Sequence, residues 1–318
     1  MAQPGVNAKD RLVDIFARSA LGLALLLPYR ARVQFFGWFF SAVVAPLAGW
    51  RRRIERNLAY AMPELDRAQR AVLARKVPDN FGRCLIEMYS GKELLERLDH
   101  APLSGPGLAP LEEAHLAGRP VVLVTAHFGS YDAARAALGR RGFEIAGLYR
   151  PMSNAAFNAH YVEAMSTIGG PLFATDKRGV VGLVKYLKAG GKIGILADVR
   201  TNKAPLLSFF GKPAHTSLAA AEWAVRYDAL FLPVFGVRQD DGLGFDIWVE
   251  RPIALGTPRD MMQAYNDIVE TKVRERPEQW FWIHNRWKLA SRKPKRTEDA
   301  EPAWRDEQDI GNGAIGAE

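Results

Sequence analysis

Apolar and polar positions divide the chain into unlike stretches. Near the amino terminus two apolar runs, LVDIFARSALGLALLLPY (12–29) and VQFFGWFFSAVVAPLAGW (33–50), flank Arg30 and Arg32. Spanning a bilayer takes about 20 apolar residues, so each run is near the limit. Together they predict one membrane anchor, either a spanning helix or a pair of helices lying partly in the interface. A cleavable signal peptide fits poorly, because the apolar core starts late and a second run follows. From 53 to 98 the spacing is helical, with a break at Pro63 and Glu64.

After about residue 100, short apolar runs alternate with helical stretches. Strands are expected at 121–126, 143–149, 192–197, 230–237 and 245–251. Helices are expected near 108–117, 131–140, 154–168, 178–189, 216–227 and 260–276. Such alternation predicts an α/β sandwich around a mostly parallel sheet. The organisation expected is an anchor with a basic flank at 1–52, a helical cover at 53–100, an α/β domain at 101–292 and a charged, glycine-rich, disordered tail at 293–318.

Charge narrows the partners. The net charge is +8, but residues 298–318 hold seven acids and one arginine, so residues 1–297 carry 42 basic and 28 acidic residues, or +14. So basic a body seeks polyanions. No helix-turn-helix, zinc-finger spacing or RNP aromatic motif is present, which puts anionic lipid ahead of nucleic acid. Arg51, Arg52, Arg53 and Arg56 follow the second apolar run and would meet anionic head groups on the cytoplasmic side at roughly 1 kcal/mol each. The alternative is a solvated basic helix face. The single cysteine, Cys84, excludes an internal disulfide and suits a reducing compartment.

The chemistry concentrates where the strand VVLVTA runs into HFGSYDAA. His127 lies at the strand end, Gly129 permits a tight turn, Ser130 is positioned as a helix cap and Asp132 sits in the first helical turn. A carboxylate on one imidazole nitrogen fixes the tautomer and raises the basicity of the other, which suits proton removal from a hydroxyl. By pattern alone the reading stays open between a base and a structural histidine beside a helix-start aspartate. Arg150 in YRP faces the same sheet edge, either to hold a phosphate or polarise a carbonyl, or as a surface arginine. Asp198 ends the strand in ILAD, where it would bind a hydroxyl or sugar, or pair with Arg150 or Arg200. His100, His115, His160 and His215 show no metal spacing, so no metal is expected.

These motifs resemble those of the lipid A biosynthesis lauroyl/myristoyl acyltransferase family, within the glycerolipid acyltransferase superfamily and its His-x4-Asp/Glu motif. RRRIERNLAYAMPEL, AHFGSYD, GLYRP, ILAD, FFGKPAHT and PEQWFWIHNRWK occur in the family's order over roughly residues 20–290. The resemblance implies a glycerolipid-acyltransferase-like α/β sandwich with an amino-terminal hydrophobic membrane anchor, working without a cofactor. It implies transfer of a C12–C14-type acyl chain from acyl carrier protein to a hydroxyl of a lipid A precursor, at the cytoplasmic face of a bacterial inner membrane. On that reading His127 is the general base, Asp132 orients and charges it, and Arg150 and Asp198 bind substrate. The segment 204–216 would line the acyl tunnel. Trp280, Trp282 and Trp287, among His284, Arg286 and Lys288, would meet lipid, although such interleaving also suits nucleic acid. Two other readings remain: another acceptor, such as a glycerophospholipid, a phosphoinositol mannoside or an amino-acid lipid, and a noncatalytic membrane-docked binding protein.

Overall fold

The computed structural model describes residues 8–152 and 154–287, all within one compact unit. The tail from 293 onward and Lys288 lie outside the described residues. In chain order the helical part comprises α1 (Ala8–Leu25), α2 (Tyr29–Phe39), a π turn (Phe40–Val44), α3 (Ala45–Leu47), α4 (Trp50–Ala61), α5 (Arg67–Tyr89) and α6 (Gly91–Leu98). The α/β part follows with β1 (Leu103–Ser104), α7 (Leu108–Leu116), β2 (Val121–Thr125), α8 (Tyr131–Arg140), β3 (Ile145–Tyr149) and α9 (Ala155–Ile168). It continues with β4 (Leu172–Ala174), α10 (Lys177–Lys188), β5 (Lys192–Leu196), β6 (Leu206–Phe209), β7 (Lys212–His215), α11 (Ala219–Arg226), β8 (Leu230–Arg238), β9 (Phe245–Val249) and α12 (Pro258–Glu275).

Seven strands form one sheet in the order β1-β9-β8-β2-β5-β3-β4, while β6 and β7 pair separately as a hairpin. Every pairing is parallel from β8 through β2, β5 and β3 to β4, and the β8–β9 pairing is antiparallel. The predicted mostly parallel α/β arrangement is therefore present. The centre of the sheet is β2, every residue of which is buried. A strand covered on both faces has no polar side to alternate with, which is why VVLVT is a continuous apolar run.

Of the two anchor forms expected, the single spanning helix is not found among the described residues. No single described helix is long and apolar enough to cross a membrane; Tyr29–Leu47 and Trp50–Ala61 meet that requirement only as a pair bent by 89°. Helix α2 instead lies against α5, where Gly82 lets the backbones approach so closely that a methyl group there would sit 2.4 Å from the Phe36 carbonyl oxygen. The basic flank is also partly committed to the chain. Arg51 donates to the Ser41 carbonyl, Arg53 to the Ile283 carbonyl and Arg56 to Asn285 Oδ1, while Arg52 is exposed.

The aromatic motif after α12 is core. Trp280 and Trp282 are almost wholly buried and pack edge-to-face, with ring centroids 4.7 Å apart, against Phe209 and Phe210 of the β6–β7 hairpin. Both expectations for these segments are thereby corrected: the tryptophans do not face lipid, and Phe209 and Phe210 do not line a tunnel. The helix expected from residue 216 starts three residues later as α11, and Thr216 accepts from Arg286 instead.

Candidate active site

The turn that carries His127 is built locally. Ser130 Oγ accepts from the Ala133 N–H and caps α8, as its sequence position predicts. Gly129 has φ +55°, and a methyl group on it would lie 2.0 Å from the Gly236 carbonyl oxygen, so glycine is required twice over. A strap at 277–281 then closes the turn from the other side. Gly129 N–H donates to the Gln279 carbonyl and Phe281 N–H to the His127 carbonyl, both at 2.9 Å. Asn57 of α4 and Asn80 of α5 hold this strap and turn in place through Trp282, His284 and Gly129 carbonyls. Helices read only as a cover therefore position the site.

His127 is held by Asp198. Asp198 Oδ1 lies 2.9 Å from His127 Nδ1, while Oδ2 accepts from the His127 backbone N–H at 3.0 Å and from the Trp280 indole N–H at 2.9 Å. Burial works against charge on Asp198, but the His127 charge and these hydrogen bonds outweigh it and hold the carboxyl below the usual aspartate range. An ionised carboxylate only accepts, so Nδ1 carries the proton and Nε2 keeps its lone pair in the neutral ring. Burial opposes protonation of His127, and the Asp198 charge and hydrogen bond overcome it, with a smaller contribution from Asp132, so its pKa is raised.

The two carboxylates thus exchange the places read from the sequence. Asp198 orients the imidazole; with its oxygens taken by His127 and Trp280 and only 4% of its surface exposed, it neither meets a sugar nor pairs with Arg150 or Arg200. Asp132 makes no hydrogen bond to the imidazole. Its Oδ1 lies 3.6 Å from Arg135, and burial raises its pKa against the pull of Arg135 and His127. Arg150 is exposed and lines the cavity that His127 faces.

Two apolar cavities meet at this point. The larger, of about 390 Å³, runs between the sheet and helices α8 and α9 and is lined by His127, Asp132 and Arg150 together with Leu123, Leu138 and Ile195. The smaller, of about 220 Å³, lies under α5 and the strap, where Phe81, Leu85, Met88 and Phe281 line it. His127, Tyr131, Asp132 and Tyr161 are common to both walls. The sequence pattern does not single out Tyr131 or Tyr161, and it reads Trp280 for a different role. Tyr131 stands inside the His-x4-Asp motif itself, and the Trp280 segment had been singled out but for a surface role. Burial, and then the Asp132 charge, drive the Tyr131 hydroxyl well above its ordinary value, so it stays a proton donor.

Comparison with known proteins matches the chain to one family. The family model for bacterial lipid A biosynthesis acyltransferase matches residues 8–289. The lipid A biosynthesis acyltransferase of Haemophilus influenzae is 23% identical over 272 residues, covering 82% of this chain and 83% of the relative. The lipid A biosynthesis palmitoleoyltransferase of Escherichia coli is 26% identical over 286 residues, 86% of this chain and 90% of its own length. The lipid A biosynthesis lauroyltransferase of the same organism is 23% identical over 248 residues, 74% and 78% of the two chains.

Proposed function

The chain belongs to the bacterial lipid A biosynthesis acyltransferase family, and from that premise we propose that it moves a fatty acyl chain from an acyl carrier protein thioester to a hydroxyl of a lipid A precursor. The single observation that carries this reading is the His127 imidazole, buttressed at Nδ1 by a buried aspartate where two apolar cavities converge. A two-substrate lipid reaction needs such a junction: one cavity for the donor chain, one for apolar parts of the acceptor.

His127 Nε2 takes the proton of the acceptor hydroxyl as its oxygen attacks the thioester carbonyl. The tetrahedral intermediate collapses, the carbon–sulfur bond breaks, and the departing thiolate takes the proton from the imidazolium. Asp198 is a positioning residue that holds the tautomer and offsets the imidazolium charge. Asp132 adds a second negative field from the cavity wall. Arg150 lies where a guanidinium polarises the thioester carbonyl or holds a lipid phosphate. Neither Cys84 nor Ser130 serves as a nucleophile: burial pushes the Cys84 thiol up to about 11, and Ser130 is engaged as a cap.

The same reading places the protein on the cytoplasmic face of a bacterial inner membrane. Leu12, Ile15, Leu23, Leu26, Phe35, Trp38 and Leu47 are exposed on the amino-terminal helices, which suits helices lying in the interface. The donor chain is of C12–C14 type by resemblance to the family. Purified protein given acyl carrier protein thioester and precursor should form the acylated lipid, and lipid A from a deletion strain should lose the mass of one acyl chain. An unchanged lipid A would move the acceptor to another lipid.

A further inference from the structure

One row of residues across the sheet shapes the larger cavity. Leu123 of β2 pairs with Gly194 of β5, Gly194 with Gly147 of β3, and Gly147 with Leu172 of β4. All four line the cavity. Two adjacent residues without side chains between two leucines leave a trough in the sheet surface, roofed by Ala134 and Leu138 of α8 and by Tyr161 and Met165 of α9. The trough has no slack: a methyl group at Gly147 would lie 3.0 Å from Leu172 Cδ2, and one at Gly194 3.2 Å from Ile145 Cγ2.

Beyond this trough lies another cavity, of about 350 Å³, lined by residues of α8 and by 166–170 at the end of α9. Arg135 and Ile145 are the residues common to both linings, so they form the partition. The Arg135 guanidinium is latched there. It donates to the Gly169 carbonyl at 2.7 Å and to the Met165 carbonyl at 3.1 Å, and it lies 3.6 Å from Asp132. A cation on the last carbonyls of a helix is held by hydrogen bonds and by the helix dipole together. The wall between the two cavities is therefore Ile145 and one long side chain tied at its tip.

We propose that Arg135 sets the longest acyl chain the protein accepts: the chain lies in the Gly147–Gly194 trough and stops against the latched guanidinium. This assignment rests on the acyl-transfer reading of the same cavity. Removing the side chain joins the two spaces and admits longer chains, whereas filling the trough with a methyl group shortens what fits. The same guanidinium faces Asp132, so the wall that measures the chain also touches the charge beside the base.

The test offers the full-length protein a competing series of saturated acyl carrier protein thioesters, shorter and longer than lauroyl in two-carbon steps, with products read by mass spectrometry. In parallel, the matching free fatty acids displace a fluorescent fatty acid, which reads chain fit without chemistry. Each further methylene that finds apolar surface is worth about fourfold, and because Arg140, Glu144, Ser166 and Thr167 make the space beyond partly polar, Arg135→Ala should raise the long-to-short product ratio several-fold, up to about fifteenfold for a two-carbon extension. Gly147→Ala should shift the ranking the opposite way. Unshifted rankings in both variants, with wild-type transfer intact, overturn the assignment. Should wild type transfer nothing yet bind fatty acids with rankings that move as described, the trough stands and the acyl-transfer reading falls; a chain that neither transfers nor binds overturns both. If Arg135→Ala does not fold, Arg135→Lys, which loses the fork of bonds to the Met165 and Gly169 carbonyls, takes its place, and an unshifted ranking there overturns the assignment.

Discussion

Two buried charged assemblies hang from the same strap, and they are finished differently. In one, Glu87 of α5 takes both terminal nitrogens of Arg238 at 2.6 Å, while Asn80 accepts from Arg238 Nε at 2.7 Å. The guanidinium also lies over the Phe245 ring, 4.7 Å from its centroid. In the other, Asp198 is as fully engaged, yet the imidazole it holds keeps one nitrogen without a protein hydrogen bond among the described residues, beside two cavities. Gln279 ties the two together, bonding to the Arg238 backbone through its side chain and to Gly129 through its carbonyl. A saturated pair can only hold parts together; a nearly saturated one holds a reactive atom still.

That contrast breaks most visibly at the open nitrogen. His127→Ala should cost transfer about a thousandfold, in the range of a lost general base, and leave thermal unfolding close to wild type. Glu87→Gln should do the reverse, because an uncompensated Arg238 charge inside the protein costs about 3–5 kcal/mol. At roughly 2–4 °C per kcal/mol for a chain this large, its Tm should fall by on the order of 10 °C, with activity per folded molecule largely kept.

Asp198→Asn lies between these. With the largest raising influence on His127 removed, the acid limb of the pH–rate profile should move to lower pH, and the rate on its plateau should fall about a hundredfold as the tautomer is lost. The signs for stability are opposite for the two partners. The lowered Asp198 pKa contributes stability above the usual aspartate value, lost as pH falls through the folded-state value; the raised His127 pKa contributes stability below the usual histidine value, lost as pH rises through its folded-state value. The difference in unfolding free energy between wild type and Asp198→Asn should therefore be widest in mildly acidic solution and shrink on either side. Ser130→Ala, which removes only a helix cap, should cost about 1 kcal/mol, with a modest loss of rate if the turn shifts.

What the sequence revealed of this site was whatever is decided within a few residues. The strand VVLVT, the Ser130 cap and the turn at Gly129 rest on local burial, hydrogen bonding and backbone freedom, and each is where the pattern places it. The partner of His127 was not legible, because Asp132 lies five residues away along the chain and Asp198 seventy-one; only the parallel pairing of β2 with β5 brings the strand ends together. Likewise Trp, His and Arg interleave at 280–287 whether a segment faces lipid or fills a core, and composition alone does not separate the two. Strand β4 is three residues long, too short to show a period, and the run at 204–216, expected along a tunnel, folds into the β6–β7 hairpin.

The strap has a consequence in time. A chain leaves the ribosome from its amino end, at about 5–20 residues per second, and folds as it emerges. Sheet, helices and both cavities draw mainly on residues made earlier, but the indole that completes the Asp198 shell is residue 280. The Asp198 carboxylate therefore receives its indole hydrogen bond only after residue 280 has emerged, well after the pairing of β2 with β5 can bring it to His127.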